Sequence, residues 1–282
     1  MHSSLVSFAR MNGLGNKILV VDLHDNQDFP TQFIFDLNKN EHTSFEQLML
    51  LRPAQNSSSD FFVEIFNKDA STAQACGNGT RCAISFLAHK YKKNNFRLQT
   101  KTMVLNGHYE GNGFCVVDMG VPLFSWQDIP LKEKIEHAEE LQWGKLTAPF
   151  FVSMGNPHVV FFLKENVADF PLEDLAPQIQ KDPLFPEGCN ISIFNSKNRT
   201  ELVARTYERG AGLTSACGSG ACAIAVAAIS LGLVEEKVTT HLTGGDLLIN
   251  WKNRQNILMY GPSVFEHRGF LDLATRTFYL DS

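Results

Sequence analysis

Two kinds of apolar run alternate along this chain. Short runs rich in β-branched and aromatic residues read as strands, namely residues 61–66 (Phe61-Phe62-Val63-Glu64-Ile65-Phe66) and 201–207 (Glu201-Leu202-Val203-Ala204-Arg205-Thr206-Tyr207). Residues 114–118 and 247–251 are of the same kind. Two longer apolar segments, 81–91 and 221–233, instead suit helices buried on most faces, with 83–88 and 223–229 as their cores. A glycine-rich turn separates each strand from its helix, and glycine permits a tight turn at low steric cost. Strand, glycine turn and buried helix are therefore predicted twice. The polar residues 125–142 read as surface connection, and the proline-rich residues 182–188 as an ordered loop approaching Asn190. The class these elements predict is α+β, with two sheet-rich domains, each a sheet wrapped around a central helix.

The two turns are versions of one sequence. Phe66-Asn67-Lys68-Asp69-Ala70-Ser71-Thr72-Ala73-Gln74-Ala75-Cys76-Gly77-Asn78-Gly79 matches Tyr207-Glu208-Arg209-Gly210-Ala211-Gly212-Leu213-Thr214-Ser215-Ala216-Cys217-Gly218-Ser219-Gly220. Each runs from an aromatic residue to Ala-Cys-Gly-x-Gly. Upstream, Gly15-Asn16 before Ile18-Leu19-Val20-Val21 echoes Gly155-Asn156 before Val159-Val160-Phe161-Phe162. Cys76 and Cys217 lie half of the 282-residue length apart, and the Gly-Asn pairs share nearly the same offset. The chain reads as two similar halves with one Ala-Cys-Gly-x-Gly turn in each.

Composition narrows the chemistry. With 25 basic and 30 acidic residues the net charge is −5, and no Lys/Arg block marks a nucleic-acid partner. The most apolar stretch, 221–234, is shorter than the roughly 20 residues a membrane span needs. Residues 1–10 carry no apolar core suited to a signal peptide, so a soluble cytoplasmic protein is expected, with its six cysteines as thiols. Cys76–Cys82 and Cys217–Cys222 lack zinc-ligand spacing, and no metal is expected.

Cys76 and Cys217 each stand where a helix should begin. Unpaired backbone N–H groups and the positive dipole end gather there, favouring a thiolate and an anion. From that placement a thiol pKa lowered into a catalytic range is expected. Cys82, Cys222 and Cys115 read as packing residues, while Cys189 beside Asn190 stays open. Two symmetry-related thiols suit a reaction that removes a proton from one face of a carbon and adds one to the other. Backbone N–H groups at both helix starts would hold the substrate carboxylate as enolate-like charge builds. No dinucleotide fingerprint or phosphate-binding lysine loop is seen, and no cofactor is called for. A cysteine–histidine acyl transferase would need His158 or His241 beside a thiol. For both, a structural histidine is the plainer reading.

The pieces Met11-Asn12-Gly13-Leu14-Gly15-Asn16, Ala75-Cys76-Gly77-Asn78-Gly79-Thr80-Arg81-Cys82, Ser153-Met154-Gly155-Asn156-Pro157-His158 and Glu208-Arg209-Gly210-Ala211-Gly212 with Ala216-Cys217-Gly218-Ser219-Gly220 together resemble the diaminopimelate epimerases. Those enzymes are pyridoxal-independent and act in the pathway to lysine and peptidoglycan precursors. The resemblance implies two pseudo-symmetric domains, 1–121 with 266–282 and 122–265, with the active site in the cleft between them. It implies Cys76 and Cys217 as the acid–base pair. It makes Gly77, Asn78, Gly218 and Ser219 the turns that hold the reacting carboxylate. Asn16, Gln47, Asn67, Asn156, Asn190, Glu208 and Arg209 become substrate-recognition residues. Diaminopimelate carries a second carboxylate and ammonium, for which an arginine and an acceptor such as Glu208 are the fitting partners. A homodimer with a small amino-acid substrate is implied as well.

The chain departs from the family pattern in four places. Lys17 stands for an acidic residue, Ala70 for a glycine, residues 40–45 lack expected glycines, and Ser219 stands for a threonine. A racemase of another amino acid, a non-catalytic amino-acid-binding relative and a redox-sensing dithiol remain the alternatives. Retention of Asn67, Asn190, Glu208 and Arg209 favours diaminopimelate.

Overall fold

A computed structural model describes residues 4–23, 27–73, 76–101 and 103–281. Gln74 and Ala75 of the first matched turn, and residues 1–3 of the leader reading, lie outside them. The chain divides into two compact units. One contains the residues up to Val117 and those from Tyr260 onward; the other is Asp118–Met259.

In the first unit, Leu5–Gly13 pairs antiparallel with Asn16–Asp22, which runs parallel to Gln47–Pro53. Gln47–Pro53 pairs antiparallel with Phe61–Asn67, which runs parallel to Asn95–Gln99, itself antiparallel to Val104–Gly111. The second unit repeats this order. Phe150–Ser153 is antiparallel to Pro157–Phe162, which is parallel to Asn190–Asn198. Asn190–Asn198 is antiparallel to Glu201–Glu208, which is parallel to Lys237–Leu242, itself antiparallel to Gly245–Asn250. Five successive pairings alternate in the same sense in both, so the duplication seen in sequence is also one of topology.

Among the described residues the α-helices are α1 (Thr31–Leu37), α2 (Gly77–Tyr91), α3 (Leu172–Gln180) and α4 (Gly218–Ser230). The two predicted helices are α2 and α4, each longer than its apolar core. α4 touches all six paired strands of its unit, and α2 touches five of those in its own. Each sheet therefore wraps a central helix, because only a helix apolar on every side can bury itself against so many strands. From Ala221 to Ala228 every residue of α4 is buried. Each fully buried Ile or Val there, such as Ile224 or Val226, contributes roughly 1.5–3 kcal/mol. α2 ends in a left-handed Lys92, with His89 and Lys90 in its last turn, where cations complement the dipole. No described helix is long and apolar enough to cross a membrane.

The chain returns to the first unit at its end. Val264–Asp272 pairs with Leu5–Gly13, and Thr277–Leu280 pairs with Val264–Asp272. Leu271 joins Val6, Phe8, Leu19 and Leu48 in one apolar cluster. Residues 125–142 are mostly irregular, as expected of a connection. They are less superficial than expected, since Ile129 and Leu131 sit in the second unit's core with Phe161 and Ile193.

Ala70, which replaces the family's glycine, lies at φ 64° in the turn after Phe61–Asn67. The turn closes through Ala70 N–H to the Asn67 carbonyl and Asn67 N–H to the Ser71 carbonyl. A left-handed alanine costs about 1–2 kcal/mol, whereas glycine adds about 0.4–1 kcal/mol of unfolded-chain entropy. Ala70→Gly should therefore stabilise the protein by about 0.5 kcal/mol. A higher denaturation midpoint with an unchanged slope is the expected result, and a lower midpoint would reject the strain argument.

Candidate active site

Register brings the polar residues together before any helix is considered. In the first unit Ile18 lies opposite Gln47, and Gln47 opposite Asn67. Asn16 and Gln47 open their strands and Asn67 ends its own, so all three stand at one rim of the sheet. In the second unit His158 lies opposite Asn190, and the next pair, Ile191 with Tyr207, leaves Asn190 facing Glu208. Asn156 just precedes the strand that carries His158. The two rims thus carry Asn16, Gln47 and Asn67 in one unit and Asn156, Asn190 and Glu208 in the other.

Each central helix begins at its own rim. Cys76 caps α2, its sulfur accepting the Gly79 N–H at 3.1 Å; Cys217 caps α4 in the same way, from Gly220 at 3.3 Å. Serine, threonine, aspartate and asparagine are the usual caps, so two cysteines in this role set the turns apart. The third helical residue must be small. A Cβ on Gly79 would come within 2.5 Å of the Met49 sulfur, and one on Gly220 within 2.7 Å of Thr206 Oγ1.

In the first unit the Cys76 thiol donates to Gln47 Oε1 at 2.6 Å. Asn16 Nδ2 donates to the same oxygen and Gln47 Nε2 donates to Asn67 Oδ1, both at 3.4 Å. Asn67 Nδ2 is held by Ser71 Oγ at 3.0 Å. Gly77 and Asn78 form the first turn of α2, with Asn78 buried. Cys76 itself is half-buried.

In the second unit Cys217 is buried, with Ser219 Oγ 3.5 Å from its sulfur. Asn156 Nδ2 donates to Ser219 Oγ at 3.2 Å, and Asn156 Oδ1 lies 3.1 Å from His158 Nε2. Asn190 Oδ1 accepts the Arg209 N–H at 2.9 Å, while the Arg209 guanidinium donates to the Glu187 carbonyl at 2.8 Å. Thr214 Oγ1 donates to Glu208 Oε1 at 2.6 Å. Gly218 and Ser219 form the first turn of α4. The expected residues therefore lie in two groups, one at the sheet rim of each unit.

The electrostatics correct one expectation. The Cys217 thiol is pushed well above the ordinary thiol range, first by burial and then by the Glu208 carboxylate. The Gly220 N–H and the Ser219 hydroxyl pull the other way and lose. A helix start contributes about 0.3–1 kcal/mol, up to about 2, whereas full burial shifts a thiol by up to about 3–5 pKa units. The thiolate expected at Cys217 from helix position alone is therefore not favoured there. Cys82, Cys115 and Cys189 are buried thiols shifted upward by desolvation, which resolves Cys189 as a packing residue.

Sequence reasoning treated His158 as structural and did not single out Thr214. His158 is fully buried beside Asn156 and Asn190, and burial followed by the Arg209 charge lowers its pKa to about 3. The sequence signal was its position two residues after Asn156, on the same strand entry. His241, the other candidate, pairs instead with Asp246 at 2.7 Å. Among the described residues no group of three or more His, Cys, Asp or Glu could hold a metal ion.

A family model described as diaminopimelate epimerase matches residues 8–124 and 150–266. A diaminopimelate epimerase from Bartonella bacilliformis is 43% identical over 277 residues, covering 97% of this chain and 98% of that protein. One from Rhizobium meliloti is 43% identical over 282 residues, covering 97% and 94%. At the level of fold, a hydroxyproline epimerase from Agrobacterium vitis, solved with trans-4-hydroxy-L-proline bound, aligns with a TM-score of 0.66 at 12% identity. That alignment covers 96% of this chain and 94% of that one.

The buried histidine makes stability depend on pH. Its folded pKa of about 3 lies below the ordinary 6.5, so the unfolded chain binds the extra proton. Its neutral burial costs nothing above pH 6.5, and stability falls as pH drops from there toward 3. Between pH 7 and 5 this group should remove about 2 kcal/mol of stability. Denaturation curves at both pH values should show that loss in the parent and a smaller one in His158→Gln, and equal losses would reject it.

Proposed function

This chain belongs to the diaminopimelate epimerase family, and we propose that it interconverts LL- and meso-diaminopimelate, a precursor of lysine and peptidoglycan, with Cys76 and Cys217 as the acid–base pair. The observation that carries the catalytic assignment is the twin cap. Two cysteines close the two central helices at rims lined by the same set of strand ends. Epimerisation needs one thiolate and one thiol at the same moment, acting on opposite faces of one α-carbon. Burial and Glu208 favour Cys217 as the acid, and in that turnover Cys76, whose thiol here donates to Gln47 Oε1, loses its proton first and then acts as base. The reverse turnover exchanges the roles.

Charge builds on the substrate carboxylate as the α-proton leaves. Backbone N–H groups of both helix starts, with the Asn78 amide and the Ser219 hydroxyl, would hold it. The exposed Arg209 takes the distal carboxylate, while Asn16, Asn67, Asn156, Asn190 and Glu208 supply acceptors and donors for the remaining groups. Gln47 serves from the Cys76 side, where its carbonyl accepts a hydrogen bond from the thiol. Two thiols suffice for this chemistry without a cofactor. A homodimer in a reducing cytoplasm fits the six free cysteines and the exposed Val264, Phe270, Tyr279 and Leu280 on the two final strands.

Solvent deuterium should enter the α-carbon of diaminopimelate without added pyridoxal phosphate. Cys76→Ala and Cys217→Ala should each lose epimerisation by at least about 10³-fold, and full activity in either would sink the two-thiol scheme. Arg209→Ala should raise KM for diaminopimelate about tenfold or more and leave monocarboxylate amino acids unaffected. A preference for a monocarboxylate, unchanged by that substitution, would favour a racemase of another amino acid.

A further inference from the structure

Arg81 lies one turn inside α2 and is fully buried. A buried guanidinium carries a desolvation penalty of several kcal/mol that only good hydrogen bonds offset. Two of its bonds go to neutral oxygens: Nη2 donates to Asn78 Oδ1 at 2.9 Å, and Nε donates to the Pro262 carbonyl at 3.2 Å. A guanidinium donates and never accepts. The Asn78 oxygen is therefore drawn to Arg81, and the amide turns its Nδ2 hydrogens the other way. An asparagine left to itself has no such preference, since its two ends are nearly the same size.

The second unit lacks this arrangement. Ser219 stands where Asn78 does, and the position matching Arg81 is Cys222. A serine hydroxyl rotates and can donate toward an anion without an orienting partner. An asparagine amide presents either a donor or a repelling oxygen, so its orientation decides the sign of its interaction with a carboxylate. We infer that Arg81 is a positioning residue that locks the Asn78 amide with its N–H groups facing the reacting carboxylate of the substrate. The inference rests on the function proposed above. It deepens that reading by giving the Cys76 rim a carboxylate contact of fixed polarity that the Cys217 rim obtains from a rotor.

A double-substitution cycle tests it. KM and kcat for solvent-deuterium exchange into diaminopimelate would be measured for Arg81→Met, Asn78→Ser and the pair. Arg81→Met alone should raise KM about tenfold, the value of one hydrogen bond to a charged group. In the Asn78→Ser background the same change should raise KM less than about twofold, because no amide is left to orient. Arg81→Lys, which keeps a donor for Asn78, should recover most of the parent KM. Thermal unfolding reports whether each variant folds, and Arg81→Leu, which likewise removes every donor, carries the cycle if Arg81→Met does not. Additive effects on KM, or an unchanged KM in a folded Arg81→Met, would overturn the assignment. Additivity would instead mark a through-space effect of the charge, and an unchanged KM a purely structural residue. If the unaltered chain fails to exchange diaminopimelate, the proposed substrate fails. The cycle is then read on whichever α-amino acid it does exchange, since every one carries the carboxylate in question.

Discussion

A backbone N–H given to a sulfur atom at the start of each central helix is the contact on which the rest of this architecture depends. It fixes where the helix begins, and therefore where Cys76 and Cys217 stand along the sheet rim. It also sets what can follow. The third helical residue must be glycine, because Met49 in one unit and Thr206 in the other leave no room for a side chain. The helix behind must be apolar on nearly every face, since it lies against most strands of its sheet. Glycine turn, cap and buried helix are one physical requirement read at three positions.

The same backbone geometry hosts two different electrical environments. Around Cys76 the neighbours are amides: Gln47 accepts a hydrogen bond from the thiol, and Asn16 and Asn67 brace Gln47. Around Cys217 the position opposite Asn190 carries the carboxylate of Glu208, and the thiol is more deeply buried. Duplication supplied the frame, and side-chain divergence at matched register positions supplied the asymmetry.

Much of this was legible in the sequence, for stated reasons. The repeated Ala-Cys-Gly-x-Gly and the uniformly apolar helices are local patterns, and α2 and α4 lie where those patterns put them. α1 and α3 were not anticipated. Thr31–Leu37 is short and aromatic, which reads as strand, and Leu172–Gln180 contains Pro177, which argues against a helix interior. The thiolate expected at Cys217 failed because burial is a tertiary property, and helix position alone omits the larger energy. His158 reads as structural from sequence and is fully buried, but its neighbour Asn190 comes from a different strand, and only parallel register brings them opposite each other. The asparagines were found by resemblance. Their individual contexts would have suited turns and caps equally well.

The strand that closes the first unit is made only after the strands of the second. Leu5–Gly13 waits for Val264–Asp272, whereas every strand of the second unit precedes that partner in the chain. On the ribosome the second unit can therefore complete its own pairings while one flank of Leu5–Gly13 is still open. Sheet edges of that kind invite pairing with other chains. Joining residues so distant in sequence also carries a loop-closure penalty, although it grows only slowly with length. The order of synthesis thus leaves the half that is begun first to be finished last, and vigilance against misassociation during growth of the polypeptide belongs to its N-terminal strand.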